Sequence, residues 1–288
     1  MRRYGLGVAL AWLGLAAAAA KEQLVFFGTY TGAKSKGIYV SRFDPATGRL
    51  TAPELAAEAK NPSFLAIHPG ERLVYAVGEV DDGQGQGNGV VSAFVIEAKT
   101  GKLTLLNRQS SGGGGPCHLA VDVKGTYILA ANYGSGSVVA LPIRADGSLN
   151  AAATAIQHTG ASVNPERQAG PHAHFISPSP DNRFALVCDL GLDRVMAYHL
   201  DGKVPKRMPA NPGFITVAPG AGPRHITFSP DGKFVYVINE MISSITAFSY
   251  EAKTAALTEV QSVSTLPKDS STASSGAEIA MHPTGRFL

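Results

Sequence analysis

From residue 222 to 240 the chain reads GPRHITFSPDGKFVYVINE, an apolar run, a Ser-Pro-Asp-Gly turn and a second apolar run. This pattern predicts two antiparallel strands joined by a tight turn. In such a hairpin the residue entering the first strand lies beside the residue leaving the second, so Arg224 and Glu240 should be neighbours at its open end. The pattern returns about every fifty residues as NPSFLAIHPGERLVYAVGE, GPCHLAVDVKGTYILAANY, GPHAHFISPSPDNRFALVCDLG and SGAEIAMHPTGRFL. After a hairpin comes a third strand with alternating apolar positions (GVVSAFVIE, GSVVALPI, DRVMAYHLD, SSITAFSYE). A fourth follows, usually past a turn, such as KLTLLNRQ or ALTEVQSV. Four antiparallel strands per repeat make the blade of a β-propeller, so the expected fold class is all-β.

The ends bear on the ring. LVFFGTYTGAKSKGIYVSRFDPATGRLTAP supplies strands two to four of a blade, and Phe287 and Leu288 fall inside the second strand of another. The expectation is a propeller domain over residues 21–288 that is incomplete at its C-terminus, with about five blades present.

Composition narrows the class. With 288 residues, 44% of them apolar and 16% charged, the chain can bury a large core. A formal charge of +3 without a basic cluster excludes nucleic acid as an expected partner. Residues 1–20 begin with Arg2 and Arg3, continue through an apolar stretch and end in small residues, which reads as a signal peptide. The mature chain is therefore expected in the periplasm or secreted, and not bound to a membrane. Cys117 and Cys188 fall in different repeats and are expected as free thiols. The Gly-rich stretch 81–89, DDGQGQGNG, joins two strands at the open end of a blade and is expected to form a flap over that face.

The chemistry is lopsided. At the turn end the hairpins read HPGE, VKGT, SPDN, SPDG and HPTG, so His68 and His282 belong to turns. At the open end stand Ser63, Phe64, Glu79, Cys117, His118, Asn132, Tyr133, His172, His174, Asp189, Arg224, His225, Asn239, Glu240 and Glu278. Strand alternation predicts that Arg224 and His225 face opposite ways, with one serving the channel and the other packing between blades. HAH at 172–174 is too little for a metal site, and no serine-hydrolase elbow or nucleotide loop is present. No metal or cofactor is expected.

LVFFGTYT, GIYVSRFDPATGRL, NPSFLAIHP, ANYGSGSVVALPIRADGSL, NPERQAGPHAHF, DLGLDRVMAYHLD and GPRHITFSPDGKFVYVINE resemble the bacterial lactonase family of seven-bladed propellers, the propeller-type 6-phosphogluconolactonases. The resemblance implies hydrolysis of a sugar lactone to its hydroxy acid, with a small-molecule lactone as partner. It implies catalytic roles for His172 or His174, Arg224 and Glu240. The residues expected at the substrate are His118, Asn132, Arg167, Gln168, Asp189, His225 and Asn239. A further arginine of the family pattern would fall after residue 288. Those residue types suit lactone opening, which needs an activated water, a cation for the oxyanion and an acid for the leaving alkoxide. Two alternatives stay open: a muconate-type lactonising cycloisomerase, and a propeller that binds without catalysis.

Overall fold

The computed structural model describes residues 22–80, 89–200, 205–270 and 274–288, with side chains left undescribed over 205–212. The signal segment 1–20 and the loop 81–89, except Gly89, lie outside the described residues. Among the described residues five four-stranded antiparallel sheets follow one another along the chain. Blade I comprises Gln23–Phe27, Gly37–Asp44 and an outer strand in two pieces, Arg49–Leu50 and Glu54–Glu58. Both pieces pair with Gly37–Asp44, and Pro53, which lacks an N–H, lies in the break between them. Blade II comprises Leu65–Ile67, Leu73–Gly78, Val90–Ile96 and Leu103–Ser110. Blade III comprises Pro116–Val121, Tyr127–Asn132, Ser137–Pro142 and Thr154–Gln157. Blade IV comprises Ala173–Pro178, Phe184–Asp189, Arg194–Leu200 and Pro205–Thr216. Blade V comprises Pro223–Phe228, Phe234–Asn239, Ser244–Glu251 and Ala256–Ser264. Among the described residues no helix is long and apolar enough to cross a membrane.

The continuous apolar runs of the second strands have a simple cause. Successive side chains point to opposite faces, and in a stacked blade both faces are covered. Val74 and Ala76 pack toward blade I, whereas Tyr75 and Val77 pack toward blade III. Ile128 and Ala130 join the seam with blade II, and Leu129 and Ala131 the seam with blade IV. In blade IV, Ala185 and Val187 face blade III while Leu186 and Cys188 face blade V. The core is thus a series of four seams between neighbours, each built from period-two alternation.

The turn end is closed locally. Ser229 Oγ donates to Asp231 at 2.6 Å and accepts from the Phe234 N–H at 2.9 Å, and Gly232 takes a φ of 66° that only glycine adopts freely. His68 and His282 serve their turns as expected: each Nδ1 accepts a backbone N–H two residues on, from Gly70 and Thr284.

Past blade V the sequence predicts another first strand at SGAEIAMHP. Residues 277–281 instead run along blade V without a ladder of their own. They are held by Gly276 N–H to Glu240 O at 3.0 Å, by Met281 N–H to Thr227 Oγ1 at 3.3 Å and by burial of Ile279. The hairpin here closes through His282 N–H to Phe287 O, too few rungs to register as strands.

Candidate functional site

The open ends of the blades converge on a cavity of about 400 Å³. Its lining follows a rule that strand alternation misses. In blade V, Pro223 pairs with Asn239 and His225 with Ile238, which leaves Arg224 as an extra residue opposite no partner. The same one-residue bulge leaves His174 over in blade IV and Cys117 over in blade III. Ser63 occupies the matching position beside blade II, Glu278 stands one place further on in the 277–281 segment, level with His225, and all five side chains line the cavity. A bulge breaks the in–out alternation. Arg224 and His225 therefore do not divide between channel and blade seam: both line the cavity.

The strongest polar cluster centres on Glu240. Arg224 Nε donates to its Oε2 at 3.0 Å and Arg167 Nη2 to its Oε1 at 2.7 Å, so each carboxylate oxygen carries a guanidinium. The hairpin geometry expected for Arg224 and Glu240 is realised. Arg167 also donates to the Tyr133 hydroxyl at 3.3 Å, and these bonds hold its pKa above the ordinary arginine value. Arg224 Nη1 reaches both the Ala277 carbonyl and, at 3.4 Å, His225 Nε2.

A second carboxylate, Glu79, stands in the same cavity. Tyr30 donates to its Oε2 at 2.8 Å, and the Ser63 hydroxyl donates to the same oxygen. Burial, then the bond to Glu79, raises the Tyr30 pKa to about 12. Tyr30 has no signal in the repeats, since it follows the first described strand of blade I.

The floor is a cluster of rings. His225 lies 5.3 Å from His118, 5.2 Å from His174, 5.0 Å from Phe175 and 6.0 Å from Phe64, centroid to centroid. His118 is sandwiched between Phe64 at 4.2 Å and Phe175 at 4.1 Å. Burial, with His225 and His174 as neighbours, holds the His118 pKa well below the usual imidazole value. Burial, then the charge of Arg224, brings His174 down to about 3. Both rings are neutral near neutral pH. Cys117 and Cys188 are free thiols, but Cys117 lines the cavity while Cys188 is in the core. Burial pushes both thiols up, so neither offers a ready thiolate.

Several residues expected at the substrate serve the frame instead. Asn132 and Asn239 are fully buried at the last rung of their strands. Their amides donate to Ser111 O and Ser137 Oγ, and to Ser244 Oγ and Thr246 Oγ1. Asp189 is buried, accepting from the His172 and Leu192 N–H groups and holding His158 Nδ1 at 2.6 Å. His158 in turn meets the Tyr198 hydroxyl at 2.8 Å. His172 stacks on Tyr133, centroids 4.5 Å apart, and its Nδ1 lies 2.9 Å from the Tyr133 carbonyl, so it braces that residue and does not line the cavity. Gln168 is buried and donates to Leu190 O and Asp193 Oδ1. His118 lies under the cavity floor, its Nδ1 accepting from Ile176 N–H at 3.3 Å.

Asp193, which no motif singles out, ties the arginine-bearing loops together. Its Oδ2 accepts from Ser162 Oγ at 2.5 Å and Gly220 N at 2.7 Å; its Oδ1 accepts from Gln168 Nε2 and Gly222 N, both at 2.8 Å. Gly222 O then receives the Glu240 N–H at 2.7 Å. Among the described residues no group of three or more His, Cys, Asp or Glu is placed to hold a metal ion.

Consecutive four-stranded blades with a polar cavity where their open ends meet define a β-propeller with a site at its axis. The chain belongs to the family described as lactonase, 7-bladed beta-propeller, whose model matches residues 24–288. It is 36% identical over 264 residues to 6-phosphogluconolactonase of Bacillus subtilis (strain 168), an alignment covering 91% of this chain and 72% of that protein. The structure of a Pseudomonas aeruginosa periplasmic gluconolactonase superposes with a TM-score of 0.85 at 32% identity, over 92% of this chain and 74% of the other. A Bacteroides fragilis structure gives a TM-score of 0.84 at 35% identity, over 93% and 74%.

Proposed function

We propose that this chain is a lactone hydrolase acting on a sugar lactone in the axial cavity. Family membership and the names of the relatives support the reaction class. The observation that carries it in the structure is the Arg167–Glu240–Arg224 cluster, which sets two permanent cations in a partly desolvated cavity. Arg224, the less exposed of the two, holds the lactone carbonyl oxygen as it gains charge, with no proton of its own to lose. Glu240 keeps both guanidiniums aimed, and with both oxygens engaged it acts as an orienting group. His174, neutral and cavity-lining, fits a hydrogen-bond partner for a substrate hydroxyl.

Charge favours an unphosphorylated lactone. Three carboxylates, Glu79, Glu240 and Glu278, line the cavity against two guanidiniums that Glu240 already engages, which leaves little positive potential for a phosphate. A periplasmic location, read from residues 1–20, points the same way, because phosphorylated sugars are cytoplasmic metabolites. Acid release by the full chain from glucono-δ-lactone and from its phosphorylated counterpart, corrected for spontaneous opening, tests the reading. Turnover of the first should exceed that of the second, and Arg224→Met should lower it about a hundredfold or more while thermal stability changes little. Rates equal to the spontaneous reaction would overturn the function; an unfolded variant would make Arg224 structural.

A further inference from the structure

We propose that His225, oriented by Glu278, is the general base that activates water, an assignment that rests on the lactone reading above. Arginine has no acceptor, so Arg224 Nη1, 3.4 Å from His225 Nε2, must be the donor of that contact. The ring proton of neutral His225 then sits on Nδ1, which donates to Glu278 Oε1 at 3.0 Å. Glu278 is itself fixed, since the same oxygen accepts the Ile279 N–H at 2.8 Å. A carboxylate behind one imidazole nitrogen, and on the other a lone pair that carries only the long 3.4 Å contact from Arg224 and passes to a bound water, is the arrangement that makes histidine a proton acceptor.

The placement suits the reaction. His225, Glu278 and Arg224 all line the cavity, and the base and the oxyanion donor lie close enough for one bound water or carbonyl to stand about 3 Å from both. Two other candidates are otherwise occupied: both oxygens of Glu240 bind arginines, and His172 braces Tyr133. Among the described residues His174 has no carboxylate behind its ring, and burial and the Arg224 charge hold its pKa at about 3. Around His225 the charged groups are Arg224 on its own strand and Glu278 on the 277–281 segment. The titratable groups packed on it from blades III and IV are His118 and His174, both held neutral by burial. Burial would raise Glu278, but the His225 hydrogen bond and the charge of Arg224 are among the effects that outweigh it and hold its carboxyl below the usual carboxylate value.

In the forward step the water oxygen bonds to the lactone carbonyl carbon as one water proton passes to Nε2, and the carbonyl oxygen becomes an anion beside Arg224. Collapse re-forms the carbonyl and breaks the ring C–O bond, and the departing alkoxide takes the proton back from Nε2. The balance is one lactone plus one water giving one hydroxy acid, with His225 regenerated.

Initial rates with glucono-δ-lactone across pH test the assignment, using the full chain. His225→Gln should lower kcat about a hundredfold or more with KM nearly unchanged, and should abolish the acid limb of the profile. Glu278→Gln should keep the limb but move it to lower pH, because the imidazolium loses its neighbouring negative charge. A structural role alone would move neither limb. If His225→Gln fails to fold, the shift in Glu278→Gln decides. A limb that stays in place in Glu278→Gln, persists in His225→Gln, or vanishes instead in Glu79→Gln overturns the assignment and leaves the lactone reading standing. A wild-type rate no faster than spontaneous opening overturns both.

Discussion

Glu240 carries a guanidinium on each oxygen, and the value of that arrangement lies in what it withholds. Glu240 orients both guanidiniums, and neither can lose its proton, so positive charge stays fixed where an oxyanion would form. Nearby, His118 shows the opposite use of an ionisable group. It is 4% exposed, stacked on two phenyl rings and kept neutral by burial. In the unfolded chain the same imidazole titrates near its ordinary value, so at mildly acidic pH the unfolded state binds more protons. Stability from this group is present above the unfolded pKa and is lost as pH falls through and below it; His174 acts in the same direction. His118→Phe removes one such term while keeping a ring between Phe64 and Phe175. The drop in melting temperature between about pH 7 and about pH 4 should therefore be a few degrees smaller in the variant than in the wild type. Parallel slopes in thermal melts would show that His118 does not contribute.

At the scale of elements, the bulge is the device that builds the site. One additional residue near the start of the first strands of blades III, IV and V brings Cys117, His174 and Arg224 over the cavity beside the residues that follow them. Loops then add Arg167, and Asp193 holds the loop carrying it against the turn that leads into Arg224. Asp193 is 3% exposed with a φ of 52°, a conformation non-glycine residues adopt rarely, kept here by four hydrogen bonds. Asp193→Ala would leave buried donors unpaired and should cost about 3 kcal/mol. It should also raise proteolysis around residues 160–170 and weaken turnover, since both arginine-bearing segments lose their common anchor. Limited proteolysis and melts check this, and an unchanged cleavage pattern would mean the loop is held by other contacts. The hairpins themselves were legible, because each apolar run and its turn are local signals, and so was the pairing of Arg224 with Glu240. The bulges were not, since Cys117, His174 and Arg224 are not glycines and leave no compositional mark. Asn132, Asn239 and Asp189 read as mouth residues for a related reason: they sit at the last rung of their strands, where a buried polar side chain satisfies backbone and hydroxyl groups.

For the molecule as a whole, stability is distributed over seams between blades, and that distribution ties folding to the site. Each second strand gives alternate side chains to its two neighbours, so removing one large side chain weakens one seam and leaves the others intact. Leu186 is fully buried in the seam between blades IV and V, packed in one cluster with Val235, Val237 and Phe248. Leu186→Ala should cost about 2 to 5 kcal/mol, from lost burial and the cavity left behind. Because the loss falls on one seam, opening should be local: blade V and the 277–281 segment that leans on it should exchange their amide hydrogens sooner. Blades II and III, joined by the separate cluster around Tyr75 and Ile128, should keep their protection. Arg224, Glu240 and His225 all belong to blade V or its mouth, so turnover should fall with temperature before the global melt. Hydrogen exchange resolved by blade, read beside activity on the same temperature ramp, checks the chain of reasoning. Uniform loss of protection across all blades would show that the seams act as one cooperative unit.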